Sequence, residues 1–581
     1  MELDPDLRSI QEVRSLLRSA DEARKRFGAF DQADVDRVVA SMSDAAFAAA
    51  RELAEDAVKE TGFGRVEDKV IKNTFAARNV WESIRSVRTV GAIREDKALG
   101  TVEIAVPMGI VAGIIPTTNP TSTTIFKALI SVKGRNAIVF SPHPSAKRCI
   151  GKAADILHDA AIRAGAPPGI VGCLANPTME ATTELMRHPL TAVILATGGH
   201  ALVKAAYSSG KPAYGVGPGN VPAFIERTAD VPKAVEMVLA GKCFDNGTIC
   251  ASEQSLVADA PVAAEVRRQM ARFGAHLCTP EEKKLLEKAM VVRGGLNPAV
   301  VGRPPHVIAG MAGFKVPEAT TALVAELTAV GPEEPLCIEK LSPVLGLYTA
   351  DGWREGCELC IKLLNYGGLG HSMSIHSRDE EIIRMFAVEK PASRILANTP
   401  STHGAIGYST GLAPSLTLGC GAWGGNITSD NVTALHLVHI KRLAYGIRPV
   451  EFPRGLQAGG GAERPTGAPS PAPVLPREPV SVYIPAVGPQ VSSVVLPPPA
   501  SSSPVSSTPS VNPAPAPATP AASGSPAAVS PASPELAGPV DRQVVRDLVE
   551  SALRGLIQDQ QGNAPAKDST AAKDDPRASL Y

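Results

Sequence analysis

Between residues 101 and 216 the sequence alternates short β-rich runs with longer helical patterns, and this alternation restricts the fold more than any other feature. Strand-like runs occur as GIVAGIIP, NAIVFSP, AVILATGG and PAYGVG, and helical runs such as SAKRCIGKAADILHDAAIRAG separate them. Strands that alternate with helices form parallel sheets, because a parallel connection has to cross the whole length of the sheet. The pattern therefore predicts an α/β fold with helices on both faces of a parallel sheet.

A second α/β cycle follows the first, so we expect two Rossmann-like parallel-sheet domains. The first domain is predicted to span residues 1–240, with helices over most of residues 6–90, and the second is predicted to span 241–426. Strand-like segments near 98–106 and 427–450 fall outside this alternation.

The composition changes near residue 451. Residues 451–538 consist mainly of Pro, Ala, Ser, Val and Gly, which predicts an extended linker because such a mixture buries too little apolar surface to fold. We expect an amphipathic helix at 539–560 and a disordered tail at 561–581. A spacing of 100° per residue puts the apolar side chains of that helix on one face: Val544, Val545, Leu548, Val549, Ala552 and Leu556.

Charge and cysteine content exclude several classes of protein. The 58 basic and 58 acidic residues balance, so no overall field attracts nucleic acid or an anionic membrane. The apolar runs are too short to span a bilayer, and the acidic first residues predict no secretion signal. Nine cysteines, an odd number, favour reduced thiols in a cytosolic setting, and we expect no metal site because the one Cys-x-x-Cys pair lies in a helical run.

The segment FDNGTICASEQS, residues 244–255, places Cys250 in a polar turn between a helical run and a strand-like run. Asn246 and Gly247 favour a turn that exposes backbone amides. A nucleophilic thiolate needs positive local potential and access, and a loop near a helix end supplies both. Cys250 is therefore the candidate nucleophile, and a buried structural cysteine is the alternative.

This segment resembles the nucleophile loop of the aldehyde dehydrogenase superfamily, in particular its coenzyme A-acylating branch. The resemblance extends over about residues 8–450 and implies the aldehyde dehydrogenase fold, with a first domain that binds NAD and a second that carries the catalytic cysteine. It implies that Cys250 attacks an aldehyde carbonyl, that hydride passes to the nicotinamide, and that a thioester remains on the enzyme. NADP is the alternative cofactor.

The segment IIPTTNPTSTT, residues 114–124, matches the position of an asparagine in this family. The resemblance implies that the side-chain amide of Asn119 donates to the oxyanion that forms on the substrate. A neutral donor held close to the oxygen that gains charge is what such a step requires. An asparagine in a turn before proline is an ordinary feature, and it is compatible with this role.

Three further segments resemble those that line the cofactor in this family: VFSPHPSAK (139–147), LATGGHALVKAA (195–206) and EKLSPVLGLY (339–348). The helix start after the Gly pair suits a pyrophosphate, because free amides collect there. By the resemblance Glu339 holds the nicotinamide ribose and Leu341 packs on the ring. His143 is equally suited to an ordinary polar role at a strand end. The other cofactor candidates are Thr117, Ser141, Thr197, Gly198 and Gly199.

The segment AYGVGPGNVPAFIE, residues 213–226, occupies the place where hydrolytic relatives carry a glutamate that activates water. Gly215 and its neighbours offer no side-chain base, so water attack on a thioester is expected to be slow. Coenzyme A brings its own thiol. The predicted products are acyl-CoA and reduced cofactor from a short-chain aldehyde, namely acetaldehyde, propionaldehyde or lactaldehyde. His371 and His376 are weaker candidates for deprotonating coenzyme A.

Three alternatives stay open: a hydrolytic aldehyde dehydrogenase, an acyl-phosphate reductase of related fold, and a non-catalytic scaffold. The linker and terminal helix resemble the encapsulation peptides of cargo enzymes in bacterial microcompartments, which implies shell-protein partners and a location in the compartment lumen of the bacterial cytoplasm. A membrane-surface helix is disfavoured because its arginines alternate with acidic residues. Segment 427–450 resembles the arm that pairs subunits in this family. The resemblance implies that strands near 98–106 and 427–450 form a separate β arm and that the protein is a homodimer or homotetramer.

Overall fold

A computed structural model describes residues 4–450, so the predicted linker, terminal helix and tail lie outside the described residues. The first part of the chain is helical, as predicted, and a hairpin of two strands follows it. Within the described range no helix combines the length and the apolar content that a membrane crossing needs. The elements are α1 (Pro5–Phe27), α2 (Gln32–Ala48), α3 (Ala50–Thr61), α4 (Val66–Thr74), a π-helical turn (Phe75–Asn79), α5 (Val80–Ile84), β1 (Gly91–Asp96) and β2 (Thr101–Pro107).

The first parallel sheet has five strands in the order β5-β4-β3-β6-β7. Its strands are nearly continuous apolar runs, because helices cover both faces. The sequence predicted four of these strands and missed the short β5 and the helix after it. The strands are β3 (Ile110–Ile115), β4 (Ala137–Pro142), β5 (Val171–Cys173), β6 (Thr191–Thr197) and β7 (Ala213–Val216), and the helices are α6 (Pro120–Lys133), α7 (Lys147–Arg163), α8 (Met179–Arg187) and α9 (His200–Tyr207).

The second parallel sheet has seven strands in the order β10-β13-β14-β9-β8-β15-β16. The strands are β8 (Val221–Ile225), β9 (Glu253–Asp259), β10 (His276–Leu277), β13 (Leu323–Glu326), β14 (Val344–Ala350), β15 (Gly370–His376) and β16 (Ala392–Ala397). A small hairpin of β11 (Val291–Val292) and β12 (Gly295–Leu296) lies apart. The helices are α10 (Val231–Cys243), α11 (Ala260–Arg272), α12 (Pro280–Met290), α13 (Pro305–Ala312), α14 (Gly352–Gly367), α15 (Glu380–Glu389) and α16 (Ser401–Ala405).

The predicted domain boundary at residue 240 is wrong. Strand β8 pairs with β9 and with β15, so it belongs to the second sheet. Helix α10, which follows β8, packs its apolar side chains into the core of the same sheet. The chain therefore passes from the first sheet to the second at residues 217–220. Local pattern could not locate this change, because β7 and β8 look alike in sequence and differ only in their partners.

A third, antiparallel sheet joins β1, β2 and β17 (Val438–Ala444). Strand β2 lies in the middle and pairs with β17 over its whole length, from Pro107 opposite Val438 to Thr101 opposite Ala444. The segment predicted at 427–450 is a strand only over these seven residues. The β arm that the sequence predicted therefore exists as a sheet separate from both domains.

Candidate active site

The predicted nucleophile loop lies between α10 and β9 and has an unusual backbone. A tight helical turn spans Phe244–Gly247, and Asp245 and Asn246 both have positive φ, at 49° and 52°. Residues with a Cβ avoid this left-handed region, so tertiary contacts have to hold them there. Cys250 follows at the next bend, directly before β9.

Two buried lysines and one buried aspartate supply these contacts. The Asp245 carboxylate accepts hydrogen bonds from Lys69 Nζ at 2.8 Å and Lys72 Nζ at 2.5 Å, and both lysine side chains are almost wholly buried. Burial alone raises the pKa of Asp245, but the two lysines outweigh it and hold the pKa below the usual value. Burial lowers the pKa of Lys72 to about 8, against the attraction of Asp245. The nucleophile loop is thus anchored by charge to helix α4.

Lys72 also reaches the predicted oxyanion donor. Its ammonium donates to Asn119 Oδ1 at 2.6 Å and to Thr248 Oγ1 at 3.0 Å. This contact assigns the oxygen side of the Asn119 amide to Lys72 and leaves the NH₂ group directed the other way. That NH₂ group donates to the Thr248 carbonyl and to Thr118 Oγ1, both at 3.2 Å. The structure therefore brings Asn119 against the loop that carries Cys250.

The Cys250 thiol contacts a histidine that the sequence weighed only weakly. His371 Nε2 lies 3.3 Å from Cys250 Sγ, although 121 residues separate them. His371 stands at the start of β15 and is fully buried. His376, the other histidine that the sequence analysis named as a weaker candidate, lies at the other end of the same strand. A histidine beside the nucleophile leaves no local sequence signal, since only the pairing of β15 with β8 brings it there.

Both members of this pair are neutral at neutral pH. Burial, and after it the Glu339 carboxylate, raise the pKa of the Cys250 thiol to about 12, against the opposing effect of Arg394. Burial lowers the pKa of His371 to about 3, and Arg394 acts in the same direction. The sequence predicted a loop with positive potential that favours a thiolate. The structure instead holds a protonated thiol beside a neutral imidazole, because desolvation outweighs the nearby cation.

Arg394 on β16 fixes the histidine in place. Its guanidinium donates to the backbone carbonyls of His371 at 2.9 Å and Gly419 at 2.6 Å. It also donates to Ser372 Oγ at 3.1 Å, and that hydroxyl lies 3.1 Å from His371 Nδ1. When Ser372 Oγ accepts from Nδ1–H, Nε2 is left with a free lone pair that faces the thiol.

The link between β7 and β8 touches the same pair. A Cβ on Gly219 would lie 2.3 Å from the Cys250 carbonyl oxygen and 3.1 Å from the His371 ring, so only glycine fits. The Gly219 N–H donates to Glu339 Oε1 at 2.9 Å, and burial raises the pKa of Glu339 to about 7. Leu341, two residues later, has a positive φ of 43°. The predicted nicotinamide segment thus lies close to the nucleophile, and the sequence missed Gly219.

Packing leaves no room for a side chain at Gly215, the position where hydrolytic relatives carry a glutamate. Gly215 exchanges two hydrogen bonds with the Tyr207 hydroxyl, at 3.0 and 3.1 Å. A Cβ on Gly215 would meet Val203 at 2.8 Å and the Tyr207 ring at 3.0 Å. A glutamate at this position therefore needs neighbouring side chains to move.

The predicted cofactor residues gather at one edge of the first sheet. Thr117 follows β3, Ser141 and His143 lie at the end of β4, and Thr197 ends β6, so all lie where the carboxyl ends of neighbouring strands meet. Ligands of open α/β sheets bind at this edge. The edge also includes the Gly198–Gly199 turn that starts α9.

Two features of this edge suit a nucleotide. The Thr197 hydroxyl is buried and has no hydrogen-bond partner among residues 4–450. Gly199 precedes helix α9 as its N-cap residue and provides no side-chain cap, and a Cβ placed on Gly199 meets nothing within 4 Å. Uncapped amides and open space at a helix start match what a pyrophosphate needs. These residues therefore fit NAD or NADP.

Two other predicted cofactor residues have internal partners. Ser141 is buried, and its hydroxyl lies 2.8 Å from the hydroxyl of Thr182 on α8. His143 Nδ1 accepts from the Ser145 N–H at 3.2 Å, which is the ordinary strand-end role that the sequence left open. Neither contact tests a cofactor role, which stays a prediction for both residues.

The remaining cysteines are free thiols. Cys149, Cys337 and Cys420 are buried, whereas Cys173 and Cys278 are only partly so. The sequence predicted no metal site, yet His276, Cys278 and Glu282 bring one ligand atom each within 4.8 Å of one another. The Glu282 carboxylate caps α12 together with Thr279 and accepts from His276, so ordinary hydrogen bonds account for this group.

The fold and the site together define a class of protein. The fold has two parallel sheets and a β arm, and the site places a cysteine beside a histidine. Residues 7–282 match the Aldehyde dehydrogenase family. The chain is 36% identical over 442 residues to the acetylating succinate-semialdehyde dehydrogenase of Clostridium kluyveri, over 76% of this chain and 97% of that relative. The chain therefore belongs to the aldehyde dehydrogenase family.

More similar sequences include the bifunctional aldehyde-alcohol dehydrogenase AdhE of Escherichia coli K12, 47% identical over 441 residues. That match covers 75% of this chain and 50% of the relative, so the chain spans about half the length of the first curated relatives it matches. An acetylating aldehyde dehydrogenase from Geobacillus thermoglucosidasius is 55% identical, with a TM-score of 0.77 over 78% of this chain and 100% of that one.

A solved structure with lower identity also matches. A propionaldehyde dehydrogenase from the fucose utilisation bacterial microcompartment of Clostridium phytofermentans is 27% identical, with a TM-score of 0.68. The match covers 74% of this chain and 97% of that chain. Residues 4–450 therefore share their fold with a protein of much lower sequence identity.

Proposed function

We propose that the protein oxidises a short-chain aldehyde to its acyl-CoA, with NAD or NADP as oxidant and coenzyme A as acyl acceptor. The observation that carries this proposal is the contact of the Cys250 thiol with the buried, neutral His371. The acetylating relatives support the acyl transfer. Acetaldehyde, propionaldehyde and lactaldehyde are the proposed substrates.

The first step is attack of Cys250 Sγ on the aldehyde carbon. A thiol of pKa about 12 is a poor nucleophile until its proton leaves. His371 Nε2 accepts that proton as the sulfur–carbon bond forms, so charge develops only during the attack. Arg394 and Ser372 keep the ring in the orientation that presents Nε2 to the sulfur.

The carbonyl oxygen becomes an oxyanion in the same step. The two bonds of the Asn119 NH₂ group are long, and an oxyanion is a stronger acceptor than either a carbonyl or a hydroxyl. One N–H of the amide therefore changes its hydrogen-bond acceptor and donates to the oxyanion. Lys72 holds the amide by its oxygen and prevents it from turning.

Thr197, the start of α9 and Glu339 would hold NAD or NADP, which would accept the hydride in the oxidation. The acyl group then remains on Cys250 as a thioester. With Tyr207 packed against Gly215, the chain offers no carboxylate there to activate water. The thiol of coenzyme A attacks instead and restores Cys250.

The test is a product assay of the purified chain with each proposed aldehyde, with and without coenzyme A. We expect a single burst of reduced cofactor, stoichiometric with enzyme, when coenzyme A is absent, and steady acyl-CoA formation when it is present. Cys250→Ser should abolish the burst and the acyl-CoA formation. Cys243→Ser should retain both, because the Cys243 thiol only donates a hydrogen bond to the Thr321 carbonyl. Steady release of free acid without coenzyme A would identify a hydrolytic enzyme instead.

We also propose that the protein is cargo of a bacterial microcompartment, targeted by Val544, Val545, Leu548, Val549, Ala552 and Leu556. The composition of 451–560 supports this, as does the likeness to a microcompartment enzyme. The test is a fluorescent protein fused to residues 538–560 and produced with shell proteins. We expect fluorescent foci that disperse in the Leu548→Asp variant and persist in the Gln543→Asp variant. Diffuse fluorescence of the parent fusion would contradict the proposal.

A further inference from the structure

A second reactive pair lies in the second domain, outside the site described above. Cys357 is on α14 and Lys390 follows the end of α15, and both residues are about 2% exposed. The Lys390 amine contacts Cys357 Sγ directly. The Glu389 carboxylate lies 3.0 Å from the same sulfur. A buried thiol and a buried amine thus meet, with the carboxylate of the exposed Glu389 beside the sulfur.

The environment of Lys390 is unusual for a buried lysine. Buried ammonium groups are normally paired with a carboxylate. In the described part of the chain, the Cys357 sulfur is the sole hydrogen-bond partner of the Lys390 amine, and no ion pair compensates its charge. The Lys390 amine also lies over the face of the Phe386 ring, 3.7 Å from the ring centroid. The Lys390 amine is therefore held directly against the sulfur that it would have to attack.

Cys360, one turn along α14, provides an internal comparison. It is fully buried on the same helix, but it has no hydrogen bond to any described residue. Burial raises the pKa of both thiols. Any chemistry specific to Cys357 therefore depends on Lys390 and Glu389 rather than on burial or on the helix.

We propose that Cys357 and Lys390 are an oxidisable pair that closes into a covalent cross-link. Hydrogen peroxide converts the thiol into a sulfenic acid and releases one water, while Glu389 accepts the thiol proton and returns it to the leaving oxygen. The Lys390 amine then attacks the sulfur, an S–N bond forms, and a second water leaves. Peroxide is reduced and the sulfur is oxidised by two electrons, as in the known condensation of sulfenic acids with amide nitrogen.

The cross-link would join two segments that support the active site. Helix α14 leads directly into β15 and His371, and Lys390 lies four residues before Arg394 on β16. The bridge closes a loop of about 33 residues, which stabilises a fold by restricting the unfolded chain. A reducing thiol would reverse it, because thiols attack the sulfur of an S–N bond.

The test uses the full chain with Cys250→Ser, so that peroxide cannot act on the nucleophile. After peroxide treatment, denaturation, alkylation and digestion, we expect a peptide pair that joins Cys357 to Lys390, about 2 Da lighter than the sum of the free peptides. Dithiothreitol should release the pair. Cys360→Ser should retain it, whereas Cys357→Ser and Lys390→Arg should lose it.

A second measurement protects the test from folding defects. Peroxide should raise the Tm of the parent by a few degrees and leave Lys390→Arg unchanged, since a guanidinium keeps the charge but does not condense. A joined peptide that retains one oxygen atom between nitrogen and sulfur also supports the pair. Recovery of Cys357 only as alkylated thiol or sulfinic acid, with Lys390 free, overturns the proposal.

Discussion

Lys72 is the residue through which the two halves of the proposed chemistry are connected. One ammonium group contacts the Asp245 carboxylate, the Asn119 amide and the Thr248 hydroxyl. Lys69 shares the aspartate and instead donates to the Thr118 carbonyl at 3.1 Å. The two lysines therefore anchor the same loop, but only Lys72 orients the proposed oxyanion donor.

We expect Lys72→Met to lower kcat about tenfold more than Lys69→Met does, because only the first change frees the Asn119 amide to turn. Both variants leave Asp245 with one lysine, so their losses of thermal stability should be similar. Steady-state kinetics and Tm values measured side by side separate the two effects. Equal losses of kcat would reduce Lys72 to a structural role.

The pKa of Cys250 makes a second prediction at this scale. With the thiol pKa at about 12, the thiolate fraction is far below its maximum at neutral pH. The rate of Cys250 alkylation by iodoacetamide should then rise about tenfold per pH unit between pH 7 and pH 9. Mass spectrometry of the Cys250 peptide follows the reaction. A plateau below pH 8 would show that the loop stabilises the thiolate after all.

At the scale of elements, the four residues between β7 and β8 carry the chain from one sheet to the other directly over the nucleophile. Gly219 touches the Cys250 carbonyl, whereas a Cβ on Gly217 meets nothing within 4 Å. Gly219→Ala should lower kcat/KM by about tenfold or more, since a shift of the loop by a few tenths of an ångström misplaces the sulfur.

Gly217→Ala is the matched control and should retain activity, because its backbone φ is not in the left-handed region. Aldehyde kinetics and the alkylation rate of Cys250 measure the effect in both variants. Unchanged kinetics and an unchanged alkylation rate in Gly219→Ala would mean that residues 217–220 move to make room for the added methyl group and that the nucleophile loop does not.

Strand β9 begins with a buried acid that should make stability depend on pH. Glu253 accepts from the Ser401 N–H at 2.6 Å, and its second oxygen has no partner among the described residues. Burial raises its pKa to about 8 from a usual 4.5. Between these values the native state holds a proton that the unfolded state releases, so this residue costs stability as pH rises through the window.

Glu253→Gln removes that titration. We expect the difference in Tm between variant and parent to move in favour of the variant between pH 5.5 and pH 8. Thermal unfolding followed by circular dichroism across this range measures the slope, and the comparison at each pH cancels the other titrating groups. Parallel curves for the two proteins would contradict a raised pKa at Glu253.

At the scale of the whole molecule, the β arm presents an incomplete sheet. Strand β17 pairs with β2 on one side only, and exposed apolar side chains occur at Leu443 near its end and at Tyr445 and Ile447 beyond it. An open sheet edge with apolar neighbours favours pairing with another chain. We propose that this arm joins subunits into the predicted homodimer or homotetramer.

Leu443→Asp should therefore lower the molar mass of the particle in light scattering and leave the helical circular dichroism unchanged. Val388→Asp, at an equally apolar and more exposed position on α15, is the control and should keep the parent mass. A parent chain that is already monomeric at micromolar concentration would contradict the proposal.

Much of the fold and part of the site could be predicted from local patterns. The alternation of β and α runs in residues 101–216 predicted the first parallel sheet, and the polar turn around Cys250 indicated the candidate nucleophile, because periodicity and turn chemistry are properties of a few neighbouring residues. The absence of an acid at Gly215 was visible only through the family resemblance, which identified the position. The family resemblance added Asn119 and the cofactor edge.

The partners of these residues depend on chain crossings that no local pattern records. Strand β8 looks like its neighbour β7 yet pairs in another sheet, so the boundary at 240 was wrong. His371 meets Cys250 across 121 residues, and Lys72 meets Asn119 across 47. Protonation follows burial, and burial is known only when the whole core is assembled. Amino-acid order thus specified the reactive groups, while packing set their neighbours and their charge.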